Sequence, residues 1–147
     1  MIVKNEGELL PKCLNSIKNG VDEIIIVDTG STDNTITIAN NFGAKVYHHS
    51  WNDSFSEARN HCLKYASGDW ILQIDADEEL EQADIIKLKS TINNTKCNAI
   101  AVAIHSTIKD NYHTFYNIRI FRRGKGFYQG TIHEQVIIEG DRLSTDI

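Results

Sequence analysis

The stretch EIIIVDTGSTDNT, residues 23–35, decides the fold class of this 147-residue chain. After Glu23 it has a run of branched apolar residues, 24–27, that ends at Asp28. Continuous rather than alternating apolarity is typical of a strand that is buried on both faces, as in a parallel sheet. The polar turn that follows, residues 29–33, carries the residue types with which helices begin. The stretch therefore predicts a strand–turn–helix unit of an α/β protein.

Related patterns lie on both sides of this stretch. Before it, Met1–Val3 predicts the end of a strand, and apolar residues at helical spacing over residues 9–17 predict a helix that Gly20 closes. After it, residues 36–42 predict a short helix and residues 45–48 a third strand. Strands and helices are thus expected to alternate in this half of the chain.

A further strand leads into a group of acidic residues. Ser54 and Glu57 fit a capping box at the start of the helix that precedes it. The apolar run Trp70–Ile74 predicts the strand, which ends in DADE at residues 75–78, and residues 85–92 predict one more helix.

The last third of the chain reads as strands without intervening helices, at residues 99–104, 116–121 and 135–138. We therefore predict one α/β domain over residues 1–147, with a mixed, mostly parallel sheet flanked by helices. In open sheets of this kind, ligands bind beyond the carboxyl ends of the strands. Asp28 and residues 75–77 are expected at that edge, which makes them candidate functional residues.

Composition and charge exclude several classes of protein. The formal net charge of −5, without a long Lys/Arg run, argues against binding to nucleic acid. The cysteines Cys13, Cys62 and Cys97 are odd in number and widely spaced, which argues against a disulfide framework or a zinc knuckle. The sequence has no apolar segment of membrane-spanning length and no signal-peptide layout. We therefore expect a cytoplasmic protein, and contact with the inner face of the membrane stays open.

The acidic residues Asp75 and Asp77 are candidate metal ligands. If the chain stays extended after the strand, both carboxylates point to one side. Two hard oxygen ligands suit Mg²⁺ or Mn²⁺. Such a cation can link carboxylates to an anionic diphosphate that they would otherwise repel.

Other polar residues are further candidates, and several of them leave alternative interpretations open. Asp28 fits either a contact with a uracil or ribose group or the capping of the next helix. Arg59 fits a phosphate contact, an ion pair that holds the acidic residues in place, or a solvated surface. His133 is a possible third metal ligand and Glu134 a possible general base. A pyrophosphate contact or a polar strand face would suit the arginines Arg119, Arg122 and Arg123.

Taken together, these segments resemble the inverting family 2 glycosyltransferases of GT-A fold, which is a Rossmann-like fold. The matching segments are MIVKNE (1–6), IIIVDTGSTDNT (24–35), WNDSFSEARN (51–60), GDWILQIDADEEL (68–80) and RIFRRGKGFYQGTIHEQV (119–136). They follow the order of the family and cover most of the chain. WNDSFSEARN and GTIHEQV are similar to a subgroup of bacterial peptide and lipopolysaccharide-core glycosyltransferases.

The resemblance implies a site and a reaction. It implies that a nucleotide-diphosphate sugar, a UDP-sugar above all, binds at Val3, Asp28, Arg59 and Asp75. It implies Mn²⁺ or Mg²⁺ at Asp77, Asp75 and His133, and Glu134 as the base that deprotonates the acceptor. The implied reaction is a hexosyl transfer in one displacement, with inversion, to a glycan, lipid-linked or peptide acceptor.

Two features limit what the resemblance implies. The chain begins within its first strand and ends at Ile147, soon after Glu134, so we hypothesise a domain truncated at both ends. A non-catalytic nucleotide-sugar-binding domain therefore stays open as an alternative. A sugar-phosphate nucleotidyltransferase is disfavoured, because the sequence lacks a Gly-rich basic loop near its N-terminus.

Overall fold

Strands and helices alternate over the first two thirds of the chain, and strands alone follow, as predicted. A computed structural model describes residues 1–108, 111–131 and 133–147. The elements are β1 (Ile2–Val3), α1 (Leu10–Ile17), β2 (Ile25–Asp28), α2 (Thr35–Asn41), β3 (Lys45–His48), α3 (Phe55–Leu63), β4 (Trp70–Leu72), α4 (Gln82–Asn94), β5 (Ala99–Ile108), β6 (Asn111–Arg122), β7 (Gly126–Gln129), β8 (Gln135–Ile138) and β9 (Arg142–Thr145).

The first sheet is parallel and is covered by helices on both faces. Its strand order is β1-β2-β3, and both pairings are parallel. All four residues of β2 are buried. Ile26 packs in the core that contains α1 and α2, whereas Ile25 and Val27 pack with Cys62 of α3. This alternation confirms the doubly buried strand that the apolar run predicts.

The second sheet is mixed. Its strand order is β4-β6-β5-β9, in which β6 runs antiparallel to β4 and β5, and β9 runs parallel to β5. Strands β7 and β8 form a separate antiparallel pair. The mixed α/β architecture is therefore confirmed, with parallel pairing concentrated in the first sheet. The second sheet is mainly antiparallel, because β5 and β6 follow each other closely in the chain, and a short connection joins strands in this way.

The helix starts follow the predicted chemistry in part. Pro11 lies in the first turn of α1, where its missing N–H costs nothing. Ser54 caps α3, and its hydroxyl accepts a hydrogen bond of 3.3 Å from the Glu57 N–H. The Glu57 carboxylate accepts from the Asn52 side chain, so one half of the predicted capping box is present. The three cysteines are free thiols. In the described part of the chain, no helix has the length and apolarity needed to cross a membrane.

Candidate active site

An open cleft of about 510 Å³ lies beyond the carboxyl ends of β1 and β2, at the edge where the sequence predicts a site. The first sheet contributes the residues that follow these two strands, and α3 and the DADE segment contribute the others. The lining includes Val3, Lys4, Glu6, Thr29, Trp51, Phe55, Arg59, Asp75, Ala76 and Asp77.

Arg59 joins three distant parts of the chain. Its Nη1 lies 2.8 Å from Asp75 Oδ1 and its Nη2 lies 3.3 Å from Asp75 Oδ2, which is a two-pronged contact. Its Nε donates to Glu134 Oε1 at 2.7 Å. The Arg59 side chain is only 11% exposed. Of the interpretations that the sequence leaves open for Arg59, the structure has the ion pair with the acidic residues.

Asp75 is surrounded by donors. Besides Arg59, its carboxylate accepts from Gln73 Nε2 at 3.1 Å and lies 3.4 Å from Arg119 Nη1. Burial raises the pKa of Asp75, but the Arg59 guanidinium and then Arg119 outweigh burial and hold the pKa below its usual value. Asp75 is therefore an ionised group whose two oxygens already have cationic partners.

Asp77 has different surroundings, because the chain turns at this point instead of staying extended. The Glu78 N–H donates to the Asp75 carbonyl at 3.1 Å, and the Glu78 carboxylate accepts from the Asp75 N–H at 3.0 Å. Ala76 is buried inside the turn, and Asp77 is exposed at the cleft. We call this segment, Asp75–Glu78, the DADE turn. Its two aspartates are thus unequal: one is held by arginines, and the other faces solvent.

The cleft suits a cation but does not supply a full set of ligands. In the described ranges, no group of three or more His, Cys, Asp or Glu side chains could hold a metal ion. Asp77 offers an exposed carboxylate, whereas His133 is exposed in the segment between β7 and β8 and has a φ of 58°. Partial burial raises the pKa of Glu6, and the carboxylates of Asp77, Asp33 and Asp75 raise it further. The cleft is therefore negatively charged, and a hard cation would take its remaining ligands from another molecule.

Asp28 organises the turn after β2. Only 1% of its surface is exposed, and its carboxylate accepts from the Gly30 N–H at 3.0 Å and the Ser31 N–H at 3.1 Å. His48 Nδ1 lies 3.4 Å from the same carboxylate. Asp28 does not cap α2, which begins later, at Thr35. Of its two sequence interpretations, capping is therefore wrong, and the contact with a nucleotide base stays a prediction.

Three further residues of the site were not predicted from the sequence. Gln73 and Glu78 both accept hydrogen bonds from Arg119, for which the sequence left a phosphate contact or a polar strand face open. Phe55, an apolar residue at the start of α3, is 42% exposed and lines the cleft. Its ring packs edge-on against that of Trp51, with 4.8 Å between the ring centroids. Helical spacing alone could not distinguish this cleft face from the core face.

Solved structures share this fold. The Staphylococcus aureus TarS fragment 1–349, in complex with UDP-GlcNAc, superposes with a TM-score of 0.65 at 21% identity, over 75% of this chain and 34% of that one. Glucosyl-3-phosphoglycerate synthase from Mycobacterium tuberculosis, in complex with Mn²⁺ and UDP-glucose, gives a TM-score of 0.59 at 24% identity, over 69% and 40%. The chain thus has the GT-A fold, which confirms the predicted fold class.

The sequence comparison identifies the family. Residues 1–143 match the family described as "Glycosyl transferase family 2", and the chain belongs to that family. A TPR repeat-containing protein of Synechococcus elongatus is 43% identical over 137 residues, 92% of this chain and 34% of the relative. The glycosyltransferase SunS of Bacillus subtilis is 33% identical over 140 residues, 92% of this chain and 33% of the relative. The chain therefore spans about a third of the length of these relatives.

Proposed function

We propose that this chain binds a UDP-sugar and transfers its hexose, with inversion, to an acceptor hydroxyl or other nucleophile. The observation that carries the proposal is the double ion pair of Arg59, which holds Glu134 and Asp75 together. Arg59 and Asp75 line the cleft together with the exposed Asp77. The TarS and glucosyl-3-phosphoglycerate synthase structures contain UDP-sugars, and that is a property of those proteins. It supports the choice of UDP-sugars as the first donors to test.

Charge and shape support one orientation of the donor along the cleft. In our proposal the base lies against Val3 and the turn that Asp28 holds, at the ends of β1 and β2. The diphosphate lies towards Arg59 and Asp77, where cationic and metal-binding groups can meet it. The sugar then projects towards Glu134, which Arg59 holds near the DADE turn.

A divalent cation fits this arrangement. The exposed Asp77 carboxylate is a hard oxygen ligand in a negatively charged cleft, and diphosphate oxygens are the other ligands that Mg²⁺ and Mn²⁺ prefer. We propose that Asp77 holds the cation, with Asp75 and His133 as further candidate ligands. A bound cation would offset the negative charge that builds on the departing diphosphate. The Mn²⁺ in the mycobacterial structure supports Mn²⁺ as the first cation to test.

Glu134 is the proposed general base. It would take the proton of the acceptor hydroxyl while the acceptor oxygen bonds to the anomeric carbon and the bond to the diphosphate oxygen breaks. Because the new bond forms opposite the old one, the configuration inverts and no covalent enzyme intermediate is needed. The Arg59 contact orients the Glu134 carboxylate. The acceptor class that we propose is a glycan, a lipid-linked sugar or a peptide.

Calorimetry with UDP-GlcNAc, UDP-glucose and a GDP-sugar, with and without Mn²⁺, tests the donor site. We expect Mn²⁺ to strengthen UDP-sugar binding by about tenfold or more in the wild type. Asp77→Asn should abolish this Mn²⁺ effect, because an amide is a weaker ligand than a carboxylate. Asp141→Asn, which makes the same change at an exposed position away from the cleft, is the matched control. Absence of nucleotide binding in every condition would refute the proposal.

Transfer is tested separately from binding. Glu134→Gln should retain UDP-sugar binding and lower the turnover of donor by about 10²- to 10⁴-fold, the usual contribution of a positioned base. The anomeric configuration of the product, read by NMR, should be opposite to that of the donor. A wild-type chain that binds UDP-sugars but neither transfers nor hydrolyses them would favour a non-catalytic binding domain.

A further inference from the structure

Arg119 and Glu78 form a second set of contacts that holds the DADE turn, which we call the clamp. Arg119 lies on β6, and its guanidinium donates to the carboxylate of Glu78 and to the side-chain oxygen of Gln73. Glu78 in turn accepts from the Asp75 N–H at 3.0 Å, while its own N–H donates to the Asp75 carbonyl at 3.1 Å. The turn is therefore closed by Glu78, and Glu78 is fixed by Arg119.

The clamp is built from partly buried charged groups. The Arg119 side chain is 15% exposed and the Glu78 side chain 26%. An ion pair in such surroundings is screened less by water than a surface pair. The position of the Glu78 carboxylate thus depends on Arg119.

Asp77 lies inside the clamped segment. On one side Asp75 is held by Arg59 of α3, and on the other Glu78 is held by Arg119 of β6. Among the described residues, Asp77 has no ion pair of its own, whereas both Asp75 and Glu78 have one. A shift of either neighbour would move the Asp77 carboxylate in the cleft.

We propose that Arg119 and Glu78 are positioning residues that fix Asp77 for cation binding at the diphosphate, rather than groups that bind the nucleotide themselves. This inference rests on the proposed function, since it gives the clamp a role in the metal-dependent part of donor binding. The partners of a metal ligand typically change metal affinity by about 10- to 100-fold when they are replaced. The clamp should therefore act on the Mn²⁺ dependence and leave the metal-free affinity for UDP nearly unchanged.

The charge of Arg119 alone does not explain the arrangement. The two Nη atoms of the planar guanidinium point to different partners. Nη1 donates to Gln73 and lies 3.4 Å from Asp75 Oδ2, and Nη2 donates to Glu78. A lysine ammonium keeps the positive charge but cannot reproduce this fork. Arg119→Lys should therefore recover only part of the wild-type behaviour.

The test measures UDP binding by calorimetry, without metal and over a Mn²⁺ titration, in the 147-residue chain. Arg119→Gln and Glu78→Gln should each raise the Mn²⁺ midpoint by about tenfold or more, with metal-free UDP affinity close to wild type. The Mn²⁺ midpoint of the double variant should be close to that of either single variant, because the two residues act as one unit. Arg123→Gln, which removes the same charge from an exposed arginine bonded to the Gly68 carbonyl, should match the wild type.

Each contrary result points to a different fault. If Arg119→Gln weakens metal-free UDP binding as much as Mn²⁺-dependent binding, Arg119 contacts the phosphates directly and the positioning role is wrong. If both single variants keep the wild-type Mn²⁺ midpoint, the clamp has no role in cation binding. A wild-type chain that binds no UDP in any condition would instead refute the proposed function, whereas one that binds UDP equally well with and without Mn²⁺ would refute this inference alone. Glu78→Gln, which keeps the side-chain volume, decides the question if Arg119→Gln does not fold.

Discussion

Replacing Arg59 by methionine should destabilise the fold in a pH-dependent way. Methionine keeps a similar aliphatic stem but removes the guanidinium that is bonded to Asp75 and Glu134. The Glu134 side chain is only 15% exposed, and it would lose the single ion pair described for it. Asp75 is 29% exposed and would keep Gln73 and Arg119.

The size of the effect follows from this geometry. Removing one partner of a buried ion pair costs about 3–5 kcal/mol, because the other charge stays buried without compensation. Since Asp75 keeps other donors and some exposure to water, we expect a loss near the lower end, about 3 kcal/mol at neutral pH. For a chain of this length, the midpoint of thermal unfolding should then fall on the order of 10 °C.

The pH dependence has a definite sign. The pKa of Asp75 in the folded wild type lies below its usual value of 3.8. Its ionised form therefore stabilises the wild type above that value, and this contribution is lost as the pH falls through the lowered folded pKa. Arg59→Met removes the cation that contributes most to lowering the Asp75 pKa against the effect of burial, so the pKa of Asp75 should rise. The difference between variant and wild type should be largest at neutral pH and shrink below about pH 4.

Urea unfolding, followed by circular dichroism at pH 7 and near pH 3, below the usual Asp pKa, measures both effects. The double variant Arg59→Met with Glu134→Gln should recover part of the loss, because the uncompensated carboxylate is then neutral. A loss of less than about 1 kcal/mol at pH 7, or an equal loss at both pH values, would show that the Arg59 ion pairs do not stabilise the fold as argued.

Two further variants test how the site is supported. Gly30→Ala should lower the free energy of unfolding in urea by about 1–3 kcal/mol. Gly30 has a φ of 113° and open space around it, so the added methyl group causes backbone strain but no clash. Gly68→Ala, where the backbone is not strained, is the control, and equal losses in the two variants would refute the strain argument. Ser54→Ala should cost about 1 kcal/mol, because it removes the acceptor of the Glu57 N–H at the start of α3, and an unchanged thermal midpoint would contradict that role.

Local patterns predicted the first sheet well. The apolar run before Asp28 predicts a strand buried on both faces, and in the structure helices pack on both faces of the sheet that contains it. The strand Lys45–His48 has the predicted bounds. These elements could be predicted because periodicity and turn residues act over short distances along the chain. The pairing of β4 with β6 could not, since it joins Leu72 to Ile120 across a long stretch of chain.

The same limit explains what was missed in the site. An arginine such as Arg59 can play several roles, and the partners of Arg59 lie 16 and 75 positions away in the sequence. Arg119 reaches the DADE turn only because β6 runs beside β4, which brings the Arg119 carbonyl within 2.7 Å of the Gln73 N–H. Sequence patterns could identify the acidic residues as candidates. The partners of these residues depend on strand order, which local patterns do not predict.

The DADE turn shows why strand order matters for chemistry. Three carboxylates within four residues repel one another, so a turn that holds them requires positively charged side chains from elsewhere in the fold. One guanidinium comes from α3, which packs on the first sheet, and the other comes from β6 of the second sheet. Together they neutralise Asp75 and Glu78 and leave Asp77 as the exposed carboxylate at the cleft. Which aspartate stays exposed, and is therefore the cation ligand that we propose, is thus set by the docking of two sheets rather than by its position in the motif.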